Sequence, residues 1–265
     1  MSTIPLYQID AFTDRLFGGN PAAVCPLQSW LDDDLMQAIA LENNLSETAF
    51  FVPAGEGREG HFELRWFTPE MEVDLCGHAT LACSHLILMR LNPGLTGLTF
   101  ETTSGPLGVT RDGEMLVLDF PARVAVDAPI PDGFTAAIGI EPEAFLTAAK
   151  NMAVYRDVET VRRINPDFSY IANLPGDGLI ITAPGDDCDF VSRYFAPQAG
   201  IDEDPVTGSA HCTTVPYWAE RLEKTSLHAR QVSRRGGELF CRLMGDRVQM
   251  AGRAVLYMEG EIRLP

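Results

Sequence analysis

Hydrophobic and polar residues alternate along several short stretches of the chain, and such alternation predicts half-buried β-strands. The stretches PLYQIDAFT, SETAFFV and HFELRWFTP follow this pattern in the first part of the sequence. One early segment, LDDDLMQAIALENNL, has apolar residues at helical spacing instead, with acidic residues near its start and asparagines near its end. The pattern therefore predicts a chain built mainly from strands, with few helices.

Two further segments are apolar on nearly every side. The first, GHATLACSHLILMRL, runs from Gly77 to Leu91, and the second, GSAHCTTVPYWAERL, begins at Gly208. A helix without a polar face is normally buried all round. Pro216 is expected to kink the second helix or to mark its boundary, because proline lacks the backbone N–H that an internal helical turn needs. The segments predict two buried helices.

The sequence contains two copies of one motif, and each copy leads into one of the two predicted buried helices. FTPEMEVDLCGHAT begins at Phe67, and FAPQAGIDEDPVTGSAH begins at Phe195. Both open with Phe-x-Pro, pass an aspartate (Asp74 or Asp204) and reach Gly, one polar residue and Ala. The repetition predicts an internal duplication in which each half wraps strands around one helix.

The duplication divides the chain near its middle. We expect a first domain over residues 1–122 and a second over residues 123–265, although the final strand could instead complete the first half. A chain of 265 residues is long enough for two halves with their own cores.

Charge and composition exclude several classes of partner. The formal net charge of −17 argues against nucleic acids and anionic membranes, because both need clustered Lys and Arg. No window is apolar enough to span a bilayer, and the first residues lack the features of a signal peptide. We therefore expect a cytoplasmic protein.

The repeated motifs place a glycine where a strand or loop becomes a helix. Gly77 and Gly208 allow a ligand to approach the backbone, and the start of each helix offers amides without intrahelical partners. Two such turns facing a cleft would hold a small carboxylate. His78 and Ser209 occupy equivalent positions with different chemistry. Alternatively, the glycines only permit the turns and the polar residues only cap the helices.

Several stretches together resemble one family. They are, in chain order, DAFT…FGGNPAAVC, LSETAFFV, RWFTPEMEVDLCGHATLA, TTSGPLGV, GLIITAPG, DFVSRYFAPQAGIDEDPVTGSAHC and RQVSRRGGEL. On these motifs the sequence resembles the PhzF-like (phenazine biosynthesis-like) proteins, within the diaminopimelate epimerase-like fold. The resemblance implies an α/β (α+β) protein of two pseudo-symmetric halves, each a barrel-like sheet around a central helix, with the active site in the cleft.

The same resemblance implies a cofactor-independent isomerase that moves a proton in a small carboxylic acid. Glu47 matches the family's catalytic glutamate, while His78, Asp204 and Ser209 match positions that assist proton transfer or bind substrate. The glycines of the two motifs match turns whose amides take the substrate carboxylate. A homodimer is also implied.

Three residues in or near the first motif have local surroundings that suggest a role for each. Leu45 and the sequence TAFF would shield Glu47 from water, which suits the removal of a carbon-bound proton. Asn20 in GNP either caps a turn or points its amide at the cleft. Cys76 lies where diaminopimelate epimerases have the first of two catalytic cysteines, but the second motif contains none. We therefore expect Cys76 to pack or to line the pocket.

Three alternatives remain. A metal site from Cys76, His78, His211 and Cys212 would use soft ligands, but no pair has the spacing of a known zinc motif, so we predict none. An amino-acid epimerase or racemase would need a second proton donor opposite Glu47 or Cys76. A carboxylate-binding or interaction protein would keep the fold without the chemistry.

Overall fold

The computed structural model describes residues 2–55 and 57–265, which are built mainly from strands. The strands are β1 (Thr3–Ala11), β2 (Asn20–Pro26), β3 (Glu47–Pro53), β4 (His61–Phe67), β5 (Glu72–Val73), β6 (Gly97–Glu101), β7 (Leu107–Asp112), β8 (Met115–Pro121), β9 (Val126–Asp127), β10 (Ala144–Thr147), β11 (Asn151–Val154), β12 (Leu179–Pro184), β13 (Phe190–Ala196), β14 (Ile201–Asp204), β15 (Ser226–Gln231), β16 (Gly237–Met244), β17 (Arg247–Gly252) and β18 (Ala254–Arg263).

The helices separate groups of these strands. They are α1 (Asp33–Asn43), α2 (Gly77–Leu86), α3 (Phe134–Ile138), α4 (Val158–Arg163), α5 (Phe168–Ala172) and α6 (Gly208–Leu222), with a π-helical turn at Ile87–Leu91 and a 3₁₀ turn at Pro197–Ala199. None of the helices in the described ranges is both long and apolar enough to cross a membrane.

The chain forms two compact units, and the first contains both ends of the sequence. It comprises Met1–Asp119 and Ala251–Pro265. Its strand order is β18-β1-β2-β3-β4-β6-β7-β8, and β5 also pairs with β4. Neighbours in this order are antiparallel except at β2–β3 and β4–β6, which are parallel.

The second unit, Phe120–Met250, repeats this arrangement. Its strand order includes β9-β10-β11-β12-β13-β15-β16, and β14 also pairs with β13. The parallel neighbours are β11–β12 and β13–β15, at the same places in the order as in the first unit. Because parallel and antiparallel neighbours occur in the same order in both units, the predicted internal duplication is confirmed.

The first buried helix is α2, and it is shorter than predicted. Its α-helical part ends at Leu86, and the rest of the predicted segment forms the π-helical turn. Apart from His85, its residues are buried, and the helix packs against β1, β2, β3 and β18. The prediction of burial on nearly every side is confirmed for α2, whereas Arg90 and Leu91 at the end of the segment are exposed.

The second buried helix, α6, continues through Pro216, so of the two predicted outcomes, a kink or a boundary, the boundary is wrong. Proline cannot donate to the carbonyl four residues earlier, which belongs to Cys212. The amide of Arg123 donates to that carbonyl instead, at 2.9 Å. A neighbouring loop thus satisfies the acceptor that the proline leaves open, which helps the helix to continue.

Candidate active site

The first cluster of predicted residues lies where β2, β3 and α2 begin. Asn20 opens β2 and Glu47 opens β3, and the parallel register that pairs Ala22 with Glu47 brings these two ends together. α2 begins at Gly77, directly after Cys76, whose backbone is extended. The fold thus places these predicted site residues at the beginnings of neighbouring elements.

The turn before β2 depends on glycine. Gly19 has φ +61°, and a Cβ atom there would lie 2.1 Å from the carbonyl oxygen of Ala11. Only glycine tolerates both this conformation and this close approach. The GGNP turn can therefore pass tightly against β1 and deliver Asn20 to the site.

His78 is the centre of this cluster. Its Nε2 lies 3.0 Å from Oε2 of Glu47. Its Nδ1 lies 3.1 Å from Nδ2 of Asn20 and 3.5 Å from Sγ of Cys76. The structure therefore brings together four side chains that the sequence analysis selected separately.

The contact between Glu47 and His78 leaves both groups able to form a further hydrogen bond. Oε2 of Glu47 and Nε2 of His78 are buried, and neither makes a well-aligned hydrogen bond to any described residue. The Glu47 side chain keeps 13% of its surface exposed, against 4% for His78. Glu47 is thus the member of the pair that a ligand can reach more easily.

Asn20 selects a tautomer of neutral His78. With Nδ2 of Asn20 towards the ring, the amide donates and Nδ1 of His78 accepts. The ring proton then lies on Nε2, the nitrogen that faces Glu47. The hydroxyl of Ser46 donates to Oδ1 of Asn20 at 3.4 Å, which supports this amide orientation.

Two groups of the cluster oppose the effect of burial on the pKa of His78. Burial lowers the pKa of His78, but Cys76 and Glu47 more than offset this effect, so the pKa lies well above its usual value. Burial raises the pKa of the Cys76 thiol to about 11, with a further increase from Glu47. Glu47 is the carboxylate that His78 faces, at 3.0 Å.

The structure groups a different set of possible metal ligands from the four that the sequence suggested. Ligand atoms of Glu47, Cys76 and His78 lie within 4.8 Å of one another. A metal-binding cysteine must lose its proton, and the raised pKa of the Cys76 thiol, about 11, opposes that loss. His211 and Cys212, the other members of the predicted set, lie in the second unit.

The second cluster lies between the end of β14 and the start of α6. Asp204 is 7% exposed, and its carboxylate accepts a hydrogen bond from the hydroxyl of Thr207. Gly208 is buried and begins the helix, and Ser209 follows it, half-buried. The predicted residues Asp204, Gly208 and Ser209 therefore share one turn.

Sequence reasoning missed Thr207 and Gln231 in this cluster. Gln231 donates to the carbonyl of Asp204 at 2.7 Å and accepts from the amide of Thr207 at 2.8 Å. A signal was available, because the alternation along β15 points Leu227, Ala229 and Gln231 inward. A glutamine among inward-facing apolar residues needs buried hydrogen-bond partners.

His211 differs from His78 in its environment. Its Nδ1 lies 2.8 Å from the carbonyl of Thr207, to which it donates, while its Nε2 is buried without a hydrogen-bond partner among the described residues. Burial lowers the pKa of His211 to about 4, so the ring is neutral at neutral pH. The residue supports the turn through its Nδ1–H group.

An Arg–Glu pair accompanies each motif and was also missed. Arg65 contacts Glu72 at 2.7 and 2.6 Å, and its guanidinium lies 5.2 Å from the ring centre of Phe67.

Arg193 contacts Glu203 at 2.7 and 2.9 Å and lies 4.8 Å from the ring centre of Phe195. Each arginine stands two residues before the phenylalanine that opens its motif.

The family model described as phenazine biosynthesis-like protein matches residues 9–260. The chain belongs to this family. An uncharacterized isomerase of Pseudomonas aeruginosa is 49% identical over 98% of this chain and 99% of its own length. A PhzF family crystal structure from Enterococcus faecalis has a TM-score of 0.95 at 47% identity, covering 99% of this chain and 100% of that one.

A more distantly related structure shares only the fold with this chain. A hydroxyproline epimerase from Agrobacterium vitis has a TM-score of 0.65 at 13% identity, with 98% of this chain and 92% of that one covered. The predicted membership of the PhzF-like family and the predicted epimerase-like fold are therefore confirmed. The relatives named as isomerases also support the prediction of an enzyme of the isomerase class.

Proposed function

We propose that this member of the phenazine biosynthesis-like family is a cofactor-independent isomerase that moves a carbon-bound proton in a small carboxylic acid. The observation that carries the proposal is the buried contact between Glu47 and His78, in which neither facing atom makes a well-aligned hydrogen bond. Buried polar groups normally have partners, and exceptions often mark reactive sites.

Glu47 is the general acid/base in this proposal. Its carboxylate takes the proton from carbon, and the electron pair of the broken C–H bond is delocalised into the adjoining conjugated or carboxylate system of the substrate. The carboxylic acid so formed returns the proton to another carbon, which completes an isomerisation without net gain or loss of atoms. His78 stabilises the Glu47 carboxylate before the proton arrives.

The starts of the buried helices supply binding groups for the substrate carboxylate. At α2, the first helical hydrogen bond joins the amide of Thr80 to the carbonyl of Cys76, so the amides of Gly77 and His78 precede the helical ladder. Such amides favour anions.

We assign the same binding role to Gly208 and Ser209, and we assign Asp204 to proton relay or substrate orientation. This assignment follows from the repeated motif.

Deuterium incorporation tests the proposal. Small carboxylic and amino acids, including cyclohexadiene and anthranilate-like acids, would be incubated in deuterated buffer and followed by proton NMR. We expect one compound to lose a carbon-bound proton signal with the wild type, at a rate that Glu47→Gln lowers by at least about a hundredfold. The exchanged position distinguishes double-bond isomerisation from epimerisation.

Glu238→Gln is the matched control, because Glu238 also contacts a histidine, with 2.7 Å between its Oε1 and Nε2 of His228. It should leave exchange unchanged. If Glu47→Gln and the wild type exchange the substrate proton at the same rate, Glu47 is not the general acid/base. Binding of a carboxylate without any exchange would favour the non-catalytic binding protein.

A further inference from the structure

Gln231 is held rigidly beside the second turn. The residue is 1% exposed and ends β15. Its backbone position is paired with Ser192 of β13 on one side and Gly237 of β16 on the other. A side chain anchored on a strand between two neighbours has little freedom, which suits the placement of other groups.

The amide of Gln231 makes three hydrogen bonds to two residues of the turn. Its Oε1 accepts from the amide of Thr207 at 2.8 Å. Its Nε2 donates to the carbonyl of Asp204 at 2.7 Å and to Oγ1 of Thr207 at 3.2 Å. A flipped amide would place donor against donor and acceptor against acceptor, so the network determines this orientation.

This arrangement also directs the hydroxyl proton of Thr207. Because Oγ1 of Thr207 accepts from Gln231, its own proton points away from the glutamine. The hydroxyl donates to the carboxylate of Asp204. One buried side chain thus holds both the backbone and, through Thr207, the carboxylate of Asp204.

We infer that Gln231 is a positioning residue for Asp204, acting through Thr207. The inference rests on the proposed function, in which Asp204 acts on the substrate. Gln231 sets the orientation of the Asp204 carboxylate. Small misplacement of such a group costs rate more than binding.

Two variants separate this role from general stability. Gln231→Met removes all three hydrogen bonds at similar volume, whereas Gln231→Glu retains an acceptor for the amide of Thr207. Thr182→Val is the matched control, since buried Thr182 donates to Val191 at 2.7 Å and accepts from Trp218 at 2.9 Å. Thermal unfolding of each variant would establish how much protein is folded.

For equal amounts of folded protein, we expect Gln231→Met to lower kcat at least about tenfold with little change in KM, and Thr182→Val to retain wild-type kcat. Gln231→Met should add no further loss to Asp204→Asn, because both remove the same contribution. Equal kcat values for Gln231→Met and Thr182→Val, or fully additive losses with Asp204→Asn, would overturn the inference.

Amide hydrogen exchange of Thr207 provides a readout that needs no substrate. We expect loss of protection in Gln231→Met and its retention in Gln231→Glu. Unchanged protection in Gln231→Met would overturn the positioning role. If the wild type exchanges no substrate proton while the Thr207 amide behaves as expected, the proposed function fails but the placement of the turn by Gln231 stands.

Discussion

The two repeated turns have the same backbone plan but hold their polar groups differently. When their glycines are aligned, Cys76 corresponds to Thr207 and His78 corresponds to Ser209. In the first turn, the side chains before and after the glycine lie 3.5 Å apart, at Sγ and Nδ1. In the second, the hydroxyl of Thr207 is bonded to Asp204. Both halves therefore contain a helix start, while the side chains that differ between them carry the proposed chemistry.

The buried histidines make the contrast sharper. His78 faces a carboxylate at 3.0 Å, and its pKa is raised well above the usual value despite burial. His211 has a backbone carbonyl as its hydrogen-bond partner, and burial lowers its pKa to about 4. Burial disfavours charge on both rings, and the side chains of Cys76 and Glu47 beside His78 account for the difference between them.

The largest effect expected from this contrast is on catalysis. His78→Asn removes the ring beside Glu47 and should lower the rate of substrate proton exchange by about a hundredfold to ten-thousandfold. The rate of deuterium incorporation measures this. His228→Asn is the control, because it removes a histidine that also faces a glutamate, Glu238, outside the proposed site. Similar small losses in both variants would show that His78 has no special role.

The next effect is on the pH dependence of stability, with opposite signs for the two histidines. Unfolded His211 takes up a proton below its ordinary pKa of 6.5, whereas the folded residue resists this until about 4. Stability should therefore fall as pH decreases through this window, by about 3 kcal/mol in total. His211→Asn retains a donor for Thr207 but removes this contribution.

His78 should make the stability of the folded protein fall as the pH rises. Its contribution is fully present below the ordinary pKa of 6.5 and is lost as pH rises through the higher folded value. Urea unfolding at several pH values measures both effects, and the slope with pH separates them from changes in packing. If His211→Asn keeps the acid-side loss of the wild type, His211 is not the group responsible.

The Arg–Glu pairs offer a smaller test of the same comparison. The side chains of Arg193 and Glu203 are 12% and 22% exposed, against 22% and 35% for Arg65 and Glu72. Arg193 also donates to the carbonyls of Val161 and Ile164, at 3.1 and 2.6 Å.

We expect Glu203→Gln to reduce the free energy of unfolding by about 2 kcal/mol, and Glu72→Gln by less than about 1 kcal/mol. Urea unfolding of both variants decides this, and equal losses would contradict the role assigned to burial.

Much of the fold was predictable from local patterns. Alternating strands, two apolar helices and the repeated Phe-x-Pro motif all follow from residue spacing, which backbone geometry determines directly. The sequence also selected Glu47 and His78, but their 3.0 Å contact depends on strand register between distant segments. Gln231 was missed because its role arises only when β15 lies beside the turn before α6.

The smallest expected effect concerns Cys76, and it tests whether the first turn uses a thiol. The raised pKa of this thiol, about 11, leaves only about one thiolate in ten thousand at neutral pH, and the thiolate is the reactive form. Cys76→Ser should therefore lower substrate proton exchange by less than about fivefold, mainly through altered contact with His78. Cys83→Ser, a buried thiol of the same helix, is the matched control and should leave exchange unchanged. A hundredfold loss confined to Cys76→Ser would mean that the first turn carries a thiol acid or base, and Glu47 and His78 would then have to be reassigned to supporting it.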